Sequence, residues 1–207
     1  MDFRIHFENA WKVFVAHLPA MLISTLVLIG VSLVTLGILA PVVTAGYMQS
    51  LLFALRDGRK PEVRDLFMYM RLFLPLLGFM LVAGIAVFLG LAMLVLPGIV
   101  LGLALGFFCM YMLPLMTDQG LNLVEAVKAS IRMAMEPPIS EHLAVVAVFL
   151  VLTSLGNSTG LGSLLTQPFA TLFVLSVYEA KRRRLLPGPK TATTSSPPPP
   201  PPDGRSG

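Results

Sequence analysis

Few residues in this chain have the types and spacing that catalysis or metal binding requires. The 207 residues include three histidines and one cysteine. None of the histidines, His6, His17 and His142, belongs to an HExxH or Cys/His ligand pattern. A GxSxG motif, a phosphate-binding P-loop and a dinucleotide fingerprint are also missing from the sequence. We therefore expect no catalytic residue, cofactor or metal site, and a protein that is not an enzyme.

The alternative to this expectation is an enzyme whose catalytic residues lie at a membrane surface. His6, Glu8, His17 and Asp118 are side chains of the kind that general acid-base catalysis uses, and each lies near a predicted membrane boundary. No spacing among them requires a catalytic role. An enzyme that acts at the lipid headgroups is therefore the weakest of the three functions considered for this chain.

The distribution of charge indicates the elements that position these residues. Lys and Arg number 15 and Asp and Glu 11, or 13% of the chain, where a soluble domain has roughly 25%. Three long intervals contain no charge at all: Val13 to Leu55, Leu72 to Thr117 and His142 to Tyr178. Uncharged apolar segments of this length indicate membrane-spanning helices.

Each interval is too long for one crossing. A hydrocarbon core of about 30 Å needs roughly 20 helical residues, and a single helix over the first interval would be about 65 Å long. Turn signals lie near the midpoints, at Thr35 to Pro41, Leu96-Pro97-Gly98 and Gly156 to Gly160. The sequence predicts an all-α polytopic membrane protein with six transmembrane helices in three hairpins, at about 13–55, 72–117 and 142–178, within a membrane domain of residues 1–184.

Orientation follows from the basic residues. All 15 Lys and Arg lie outside the hairpins and on one side of the predicted bundle, and the positive-inside rule places that side in the cytoplasm. Both termini are then cytoplasmic. Asp2 and Glu8 near the N-terminus, and the length of the apolar run that follows, argue against a cleavable signal peptide.

A cytoplasmic amphipathic helix is predicted before each hairpin. Apolar residues recur at helical spacing within residues 3–15, 63–70 and 124–134, opposite charged residues. Pro61 suits the first position of the second helix, and Asn122 with Glu125 has the spacing of a capping box in the third. Such helices either lie in the headgroup plane or pack on the cytoplasmic ends of the bundle.

Two stripes of small residues, each with a spacing of four, are candidates for helix packing. They are Gly46, Ser50 and Ala54 in the first hairpin and Gly98, Gly102 and Gly106 in the second. Small residues let helix backbones approach closely, so the stripes predict either packing within the bundle or a dimer interface. On the packing interpretation, Gly102→Leu destabilises the protein in detergent.

Basic and aromatic residues beside the hairpins predict contact with anionic phospholipid headgroups. They are Trp11, Lys12, Lys181, Arg182, Arg183 and Arg184. Partners are thus expected to be the lipid bilayer and a second copy or another membrane protein, and not a nucleic acid. Residues 185–207, with six consecutive prolines from Pro197 to Pro202, are expected to form a disordered, Pro-rich cytoplasmic tail.

Several short motifs resemble those of one family. They are Trp11, Ala40-Pro41, Gly46-Tyr47, Leu96-Pro97-Gly98-Ile99, and Asp118 ahead of Glu125-Ala126-Val127-Lys128-Ala129-Ser130. Over about residues 3–184 this layout resembles six-helix bacterial inner-membrane proteins related to the membrane domain of glycerophosphoryl diester phosphodiesterases. The resemblance implies a multi-pass protein of the bacterial inner membrane. Phosphodiesterase activity is not expected, because the chain has neither room for the hydrolase domain nor a cluster of His and Glu for its metal.

The charge-free crossings also bear on function. Ion-coupled transporters, proton relays and voltage sensors place ionisable groups in the membrane, so these classes are disfavoured. The leading hypothesis is a non-enzymatic scaffold, assembly or accessory factor that acts through its cytoplasmic face. The alternative is a passive small-molecule or lipid transport or handling protein.

Overall fold

The computed structural model describes residues 3–158 and 162–185, and this part of the chain is all-helical, with no strand. The prediction of an all-α protein is confirmed. The α-helices are α1 Phe3–Ala16, α2 Leu18–Val34, α3 Ala40–Asp57, α4 Phe73–Met93, α5 Val95–Cys109, α6 Met112–Asp118, α7 Leu123–Met135, α8 Ile139–Ser158 and α9 Ser163–Leu185. Two short 3-10 helices, η1 Val63–Phe67 and η2 Met70–Leu72, lie between α3 and α4.

Several of these helices are long and apolar enough to cross a membrane. Three candidate segments are Val63–Met93, Val95–Asp118 and Ile139–Ser158. A fourth is the pair α1 and α2, if it counts as one span, although the two helices are bent by 89° at His17. These segments agree with the expectation of a membrane protein.

The helices α3 and α9 form the centre of the fold. α3 packs against α2, α4, α6, η1 and α9, and α9 also contacts α1, α2 and α8. Most residues of α3 and of the second half of α9 are buried, whereas Leu76 is the one buried residue of α4. A helix that is enclosed by other helices does not need an apolar surface, which explains how α3 carries the buried polar residues Gln49 and Ser50.

The helices associate in sequential pairs. Residues 35–39 join α2 to α3, and Gly37 takes a φ of +82° there, which is accessible to glycine. A single extended residue, Leu94, separates α4 from α5, and Gly90 and Gly98 bring the two helices into close approach beside it. α8 packs along α9.

Two of the predicted turns differ from the observed ones. The second turn lies two residues before the predicted Leu96-Pro97-Gly98, because Pro97 fits the first turn of α5 and does not interrupt it. The third was predicted at Gly156 to Gly160, but α8 continues to Ser158. The remaining residues of that predicted turn, and the Pro-rich tail after Leu185, lie outside the described residues.

The amphipathic segments follow the prediction at α1 and α7 and depart from it between them. In α7 the Asn122 side chain accepts a hydrogen bond from the Glu125 backbone N–H at 2.9 Å, and the Glu125 carboxylate accepts one from the Asn122 N–H at 3.3 Å, so the predicted capping box is present. The segment predicted as one amphipathic α-helix over residues 63–70 forms η1 and the start of η2 instead. The physical reason is a tertiary contact, since the Asp65 side chain is bonded to α3.

Candidate functional site

Three helices are joined by four charged side chains and one tyrosine, which we call the Arg56 cluster: Arg56, Asp118, Tyr178, Glu179 and Arg182. Arg56 lies in the last turn of α3, Asp118 is the last residue of α6, and Glu179 belongs to α9. The Arg56 guanidinium binds Asp118 in a two-pronged contact, with Nη1 to Oδ1 at 2.5 Å and Nη2 to Oδ2 at 2.9 Å. Its Nε donates to Glu179 Oε2 at 2.8 Å.

Neighbouring side chains complete the hydrogen bonding of the two carboxylates. The Tyr178 hydroxyl donates to Asp118 Oδ2 at 2.9 Å, and the Gln119 amide donates to the same oxygen at 2.8 Å. Arg182 Nη2 donates to Glu179 Oε1 at 3.1 Å. Each carboxylate therefore has partners on both oxygens, which is the condition under which a buried ion pair is tolerated.

The ion pairs of this cluster are strengthened by the burial of their side chains. The Arg56 side chain is 20% exposed, Asp118 7% and Glu179 11%. Charge pairs on an open surface contribute little because water and salt screen them, whereas removal of one partner from a buried pair leaves a charge that neither water nor protein satisfies. The cluster therefore fixes the C-terminal parts of α3, α6 and α9 relative to one another.

The electrostatics keep the cluster charged. Arg56 and Glu179 lie just outside the predicted crossings. Burial raises the pKa of Glu179, but hydrogen bonds from Arg56 and Arg182 lower it by more, so that its pKa lies below the ordinary value. For Arg56, burial lowers the pKa, but the hydrogen bonds to Asp118 and Glu179 raise it by more. The pKa of Arg56 therefore lies above its ordinary value. Neither group exchanges protons near neutral pH, so this arrangement favours a structural role over acid-base chemistry.

The predicted lipid-facing cluster at the C-terminal end of α9 divides into buried and exposed residues. Lys181 is buried, and its ammonium donates to the Met133 backbone carbonyl at 2.7 Å, with the Glu136 carboxylate at 3.8 Å. Burial lowers the pKa of Lys181. Lys181 and Arg182 thus bind protein groups, which corrects the prediction that they face lipid. Arg183 and Arg184 are exposed.

The other predicted membrane-surface residues lie on α1. Trp11 is half-exposed, with its ring edge-on to Phe169 of α9 at 5.9 Å between centroids. Lys12 is exposed and pairs with Glu8 at 3.0 Å. These positions are compatible with the predicted contact with headgroups.

The two small-residue stripes differ in their surroundings. In the first stripe Gly46 faces η1 so closely that an added Cβ would lie 2.6 Å from the carbonyl carbon of Leu66, and Ser50 donates to Asp65 Oδ2 at 2.8 Å. Ala54 is buried in the core. The sequence did not indicate that this stripe packs on the 3-10 segment.

The second stripe does not pack as predicted along its length. A Cβ at Gly98 would lie 2.5 Å from the backbone nitrogen of Leu91 near the end of α4, but one at Gly102 or Gly106 meets nothing within 4 Å. These two glycines border cavities instead. A Cβ at position 102 would therefore meet no neighbouring helix, which removes the packing argument at Gly102, and the effect of Gly102→Leu stays a prediction.

The ionisable residues proposed for a membrane enzyme do not come together. His6 Nδ1 lies 2.8 Å from the Ser176 hydroxyl, and Asp118 is held by Arg56. His142, the first residue of the third predicted hairpin, is fully buried, 2.8 Å from the Phe107 carbonyl and 3.2 Å from the Tyr111 hydroxyl. Within residues 3–158 and 162–185 there is no group of three His, Cys, Asp or Glu side chains placed to hold a metal ion.

A regularity in the sequence locates the cluster, although the sequence analysis did not use it. Arg56, Asp118 and Glu179 are the first charged residues after the three charge-free intervals. Arg56 and Asp118 lie at the C-terminal ends of α3 and α6, and Glu179 lies in the second half of α9, so one positive and two negative charges come together. Their shared position, directly after a charge-free interval, is the sequence feature from which the contact between these residues could have been predicted.

Comparison with known proteins gives no family assignment. No family model, curated protein or solved structure matches the chain.

Proposed function

We propose that the chain is a multi-pass protein of the bacterial inner membrane that crosses the bilayer six times with both termini in the cytoplasm. The pairs α2 with α3, α4 with α5 and α6, and α8 with α9 supply the crossings. Support comes from the ends of the pairs: Arg56, Asp118 and Glu179 meet at one end, while residues 35–39 and Leu94 at the joining turns carry no charge. All 15 Lys and Arg also lie outside the three charge-free intervals, and the positive-inside rule applies to this one-sided distribution of basic residues.

Within that membrane setting the function we propose is a scaffold, assembly or accessory factor without enzymatic activity. The observation that supports this proposal is that the buried charged residues bind other residues of the protein. Arg56 binds both Asp118 and Glu179 and thereby fixes α3, α6 and α9 relative to one another at the proposed cytoplasmic face. That face presents exposed apolar residues on α7, such as Val124 and Ile131, beside the exposed Lys128. A surface of apolar and basic residues suits a membrane-bound partner or the headgroup plane.

Native mass spectrometry of protein gently extracted from its own membranes tests the scaffold proposal. We expect an assembly of defined stoichiometry, heavier than the monomer, that is lost in the variant Val124→Ser/Ile131→Ser. The matched control is Val34→Ser, which removes an exposed apolar side chain at the uncharged end of α2 and leaves the assembly intact. A monomer in every sample, or equal loss in both variants, contradicts the proposal.

One observation favours the alternative of passive lipid handling. A cavity of about 590 Å³ lies between α4 and α5, with Phe79, Val87, Leu105 and other apolar side chains in its lining. The discriminating experiment reconstitutes the purified protein into vesicles that contain a labelled phospholipid. Scrambling at the rate of protein-free vesicles supports the scaffold, and faster scrambling favours lipid handling.

A further inference from the structure

A second cavity lies between α3, α5, α8 and α9 and opens to the surface beside the exposed Leu103 and Leu150. Its volume is about 270 Å³. The lining is mostly apolar, with side chains such as Met110, Phe149 and Val174, and its three polar members are Thr44, Gln167 and Thr171. None of the lining residues carries a charge. Small-molecule sites commonly combine an apolar wall with a few polar groups in this way.

Two of the polar side chains have hydrogen-bonding capacity that the protein does not use. The Thr171 hydroxyl donates to the backbone carbonyl of Gln167 at 2.8 Å. By contrast, neither the Thr44 hydroxyl nor the Gln167 amide forms a hydrogen bond with another residue in the described part of the chain. Both side chains are half-buried. A polar group in apolar surroundings is unfavourable without a partner, so a ligand that supplies one is stabilised at this position.

Glycines on α5 create the space. Gly102 and Gly106 line this cavity, and a Cβ added at either meets nothing within 4 Å. Gly102 also lines the larger cavity on the other side of α5. The stripe that predicted helix packing therefore leaves room beside α5 for something other than a protein helix of this chain.

We propose that this cavity binds an uncharged amphiphile, with a hydrocarbon body along the apolar wall and a single hydroxyl or carbonyl head group bonded to Gln167 and Thr44. The Gln167 amide both donates and accepts hydrogen bonds, and so does the Thr44 hydroxyl. The lining offers no cation for a carboxylate or phosphate and no anion for an amine. A charged head group at this position would be left without a counter-ion in an apolar setting.

The proposal rests on the membrane location proposed above in one respect, namely that the bilayer supplies the ligand. Binding itself is tested on the purified full-length chain in amphipol, without an alkyl detergent. A wrong topology therefore leaves the binding result intact, and a failure of binding leaves the topology intact.

Photo-crosslinking identifies the site and the class of ligand. The probe is dodecanol with a diazirine in its chain, and mass spectrometry maps the adducts. We expect adducts on α5 and α8 at lining residues such as Met110 and Phe149, suppressed by excess dodecanol and not by dodecanoate or dodecyltrimethylammonium. Adducts spread over the exposed face of α4, or equal competition by all three compounds, overturn the proposal.

Variants test the roles of the two polar residues and of the glycine. Gln167→Leu and Thr44→Val each remove a head-group contact, and we expect labelling to fall by about five-fold in each, as the loss of one hydrogen bond predicts. Gly106→Leu fills the cavity without touching the polar residues and is expected to abolish labelling. Gly30→Leu is the matched control, because Gly30 also has open space around it but lies on α2, and it retains wild-type labelling.

A folding defect is recognised by the thermal midpoint of each variant. Labelling that persists at the wild-type level in folded Gly106→Leu overturns the proposal, even where Gln167→Leu fails to fold. Loss of labelling in the folded Gly30→Leu control overturns it as well.

Discussion

Arg56 uses all three of its guanidinium nitrogens on two carboxylates that belong to other helices. Nη1 and Nη2 hold Asp118, and Nε with Nη2 holds Glu179 at 2.8 and 2.5 Å. The planar fork of arginine suits such two-pronged contacts, which lysine does not reproduce. At the scale of single residues, the structure therefore makes this side chain the link between α3, α6 and α9.

Replacement of Arg56 tests that link. Arg56→Met leaves two buried carboxylates without their main partner, and we expect the free energy of unfolding to fall by about 3 kcal/mol. Thermal unfolding in detergent measures it. Arg64→Met is the control: Arg64 is 76% exposed and pairs with Glu62, so its loss is expected to cost less than about 1 kcal/mol. Equal effects of the two substitutions would contradict the role of the cluster.

The lowered pKa of Glu179 predicts acid sensitivity. The ionised form is favoured in the folded protein, so its contribution is fully present above the ordinary pKa of 4.5 and is lost as the pH falls through the lower folded-state value. We expect the thermal midpoint to decline with acid below about pH 4.5 in the wild type and less steeply in Glu179→Gln. Glu8→Gln, at a 55% exposed ion pair, keeps the wild-type slope. Parallel pH profiles for wild type and Glu179→Gln would rule out this contribution.

The charges of the cluster are visible in the sequence, but their pairing is not. Arg56, Asp118 and Glu179 are separated by about 60 residues each, and only the association of the helix pairs brings them together. For the same reason Lys181 was predicted at the lipid surface: in sequence it belongs to a basic run, whereas in the fold it is buried against α7.

At the scale of elements, local patterns predicted what local interactions determine. The helical spacing of apolar residues predicted α1 and α7, and the spacing of Asn122 and Glu125 predicted the capping box. The segment after Pro61 shows where this reasoning fails. Its apolar spacing fits an α-helix, but Asp65 turns inward to Ser50 and Arg59, and the chain forms 3-10 helices that no local rule predicts.

The glycine stripes give a prediction at the same scale. Gly46→Ala places a methyl group 2.6 Å from the Leu66 carbonyl carbon, so α3 and η1 must separate, and we expect a loss of about 1 to 3 kcal/mol. Gly102→Ala enters open space and is expected to leave stability unchanged or slightly raised, since alanine is the better helix former. Thermal unfolding in detergent compares the two. Greater destabilisation by Gly102→Ala than by Gly46→Ala would refute the packing described here.

At the scale of the whole molecule, the charge-free intervals predicted long apolar helices, because charge is disfavoured in a membrane regardless of the fold. Which helices lie at the centre could not be predicted in this way. α3 and α9 are the least apolar of the pairs, and the buried Gln49 and Ser50 are sheltered by surrounding helices. Composition detects the more exposed, strongly apolar helices most clearly, and within the described residues the segments that qualify as spans on their own contain α4, α5 with α6, and α8.

The central claim is that the joined ends of the pairs lie outside the cell and the Arg56 cluster inside. Cysteine accessibility in intact spheroplasts tests it directly, in a Cys109→Ser background and with a membrane-impermeant maleimide. Single cysteines replace Ile38, Leu94 and Asn157 near the joining turns, and Lys60 and Lys128 on the opposite face; all five positions are exposed. We predict labelling of the first three in intact spheroplasts and of the last two only after permeabilisation. Labelling of Lys60→Cys or Lys128→Cys in intact spheroplasts, with Ile38→Cys, Leu94→Cys and Asn157→Cys protected, would contradict the account.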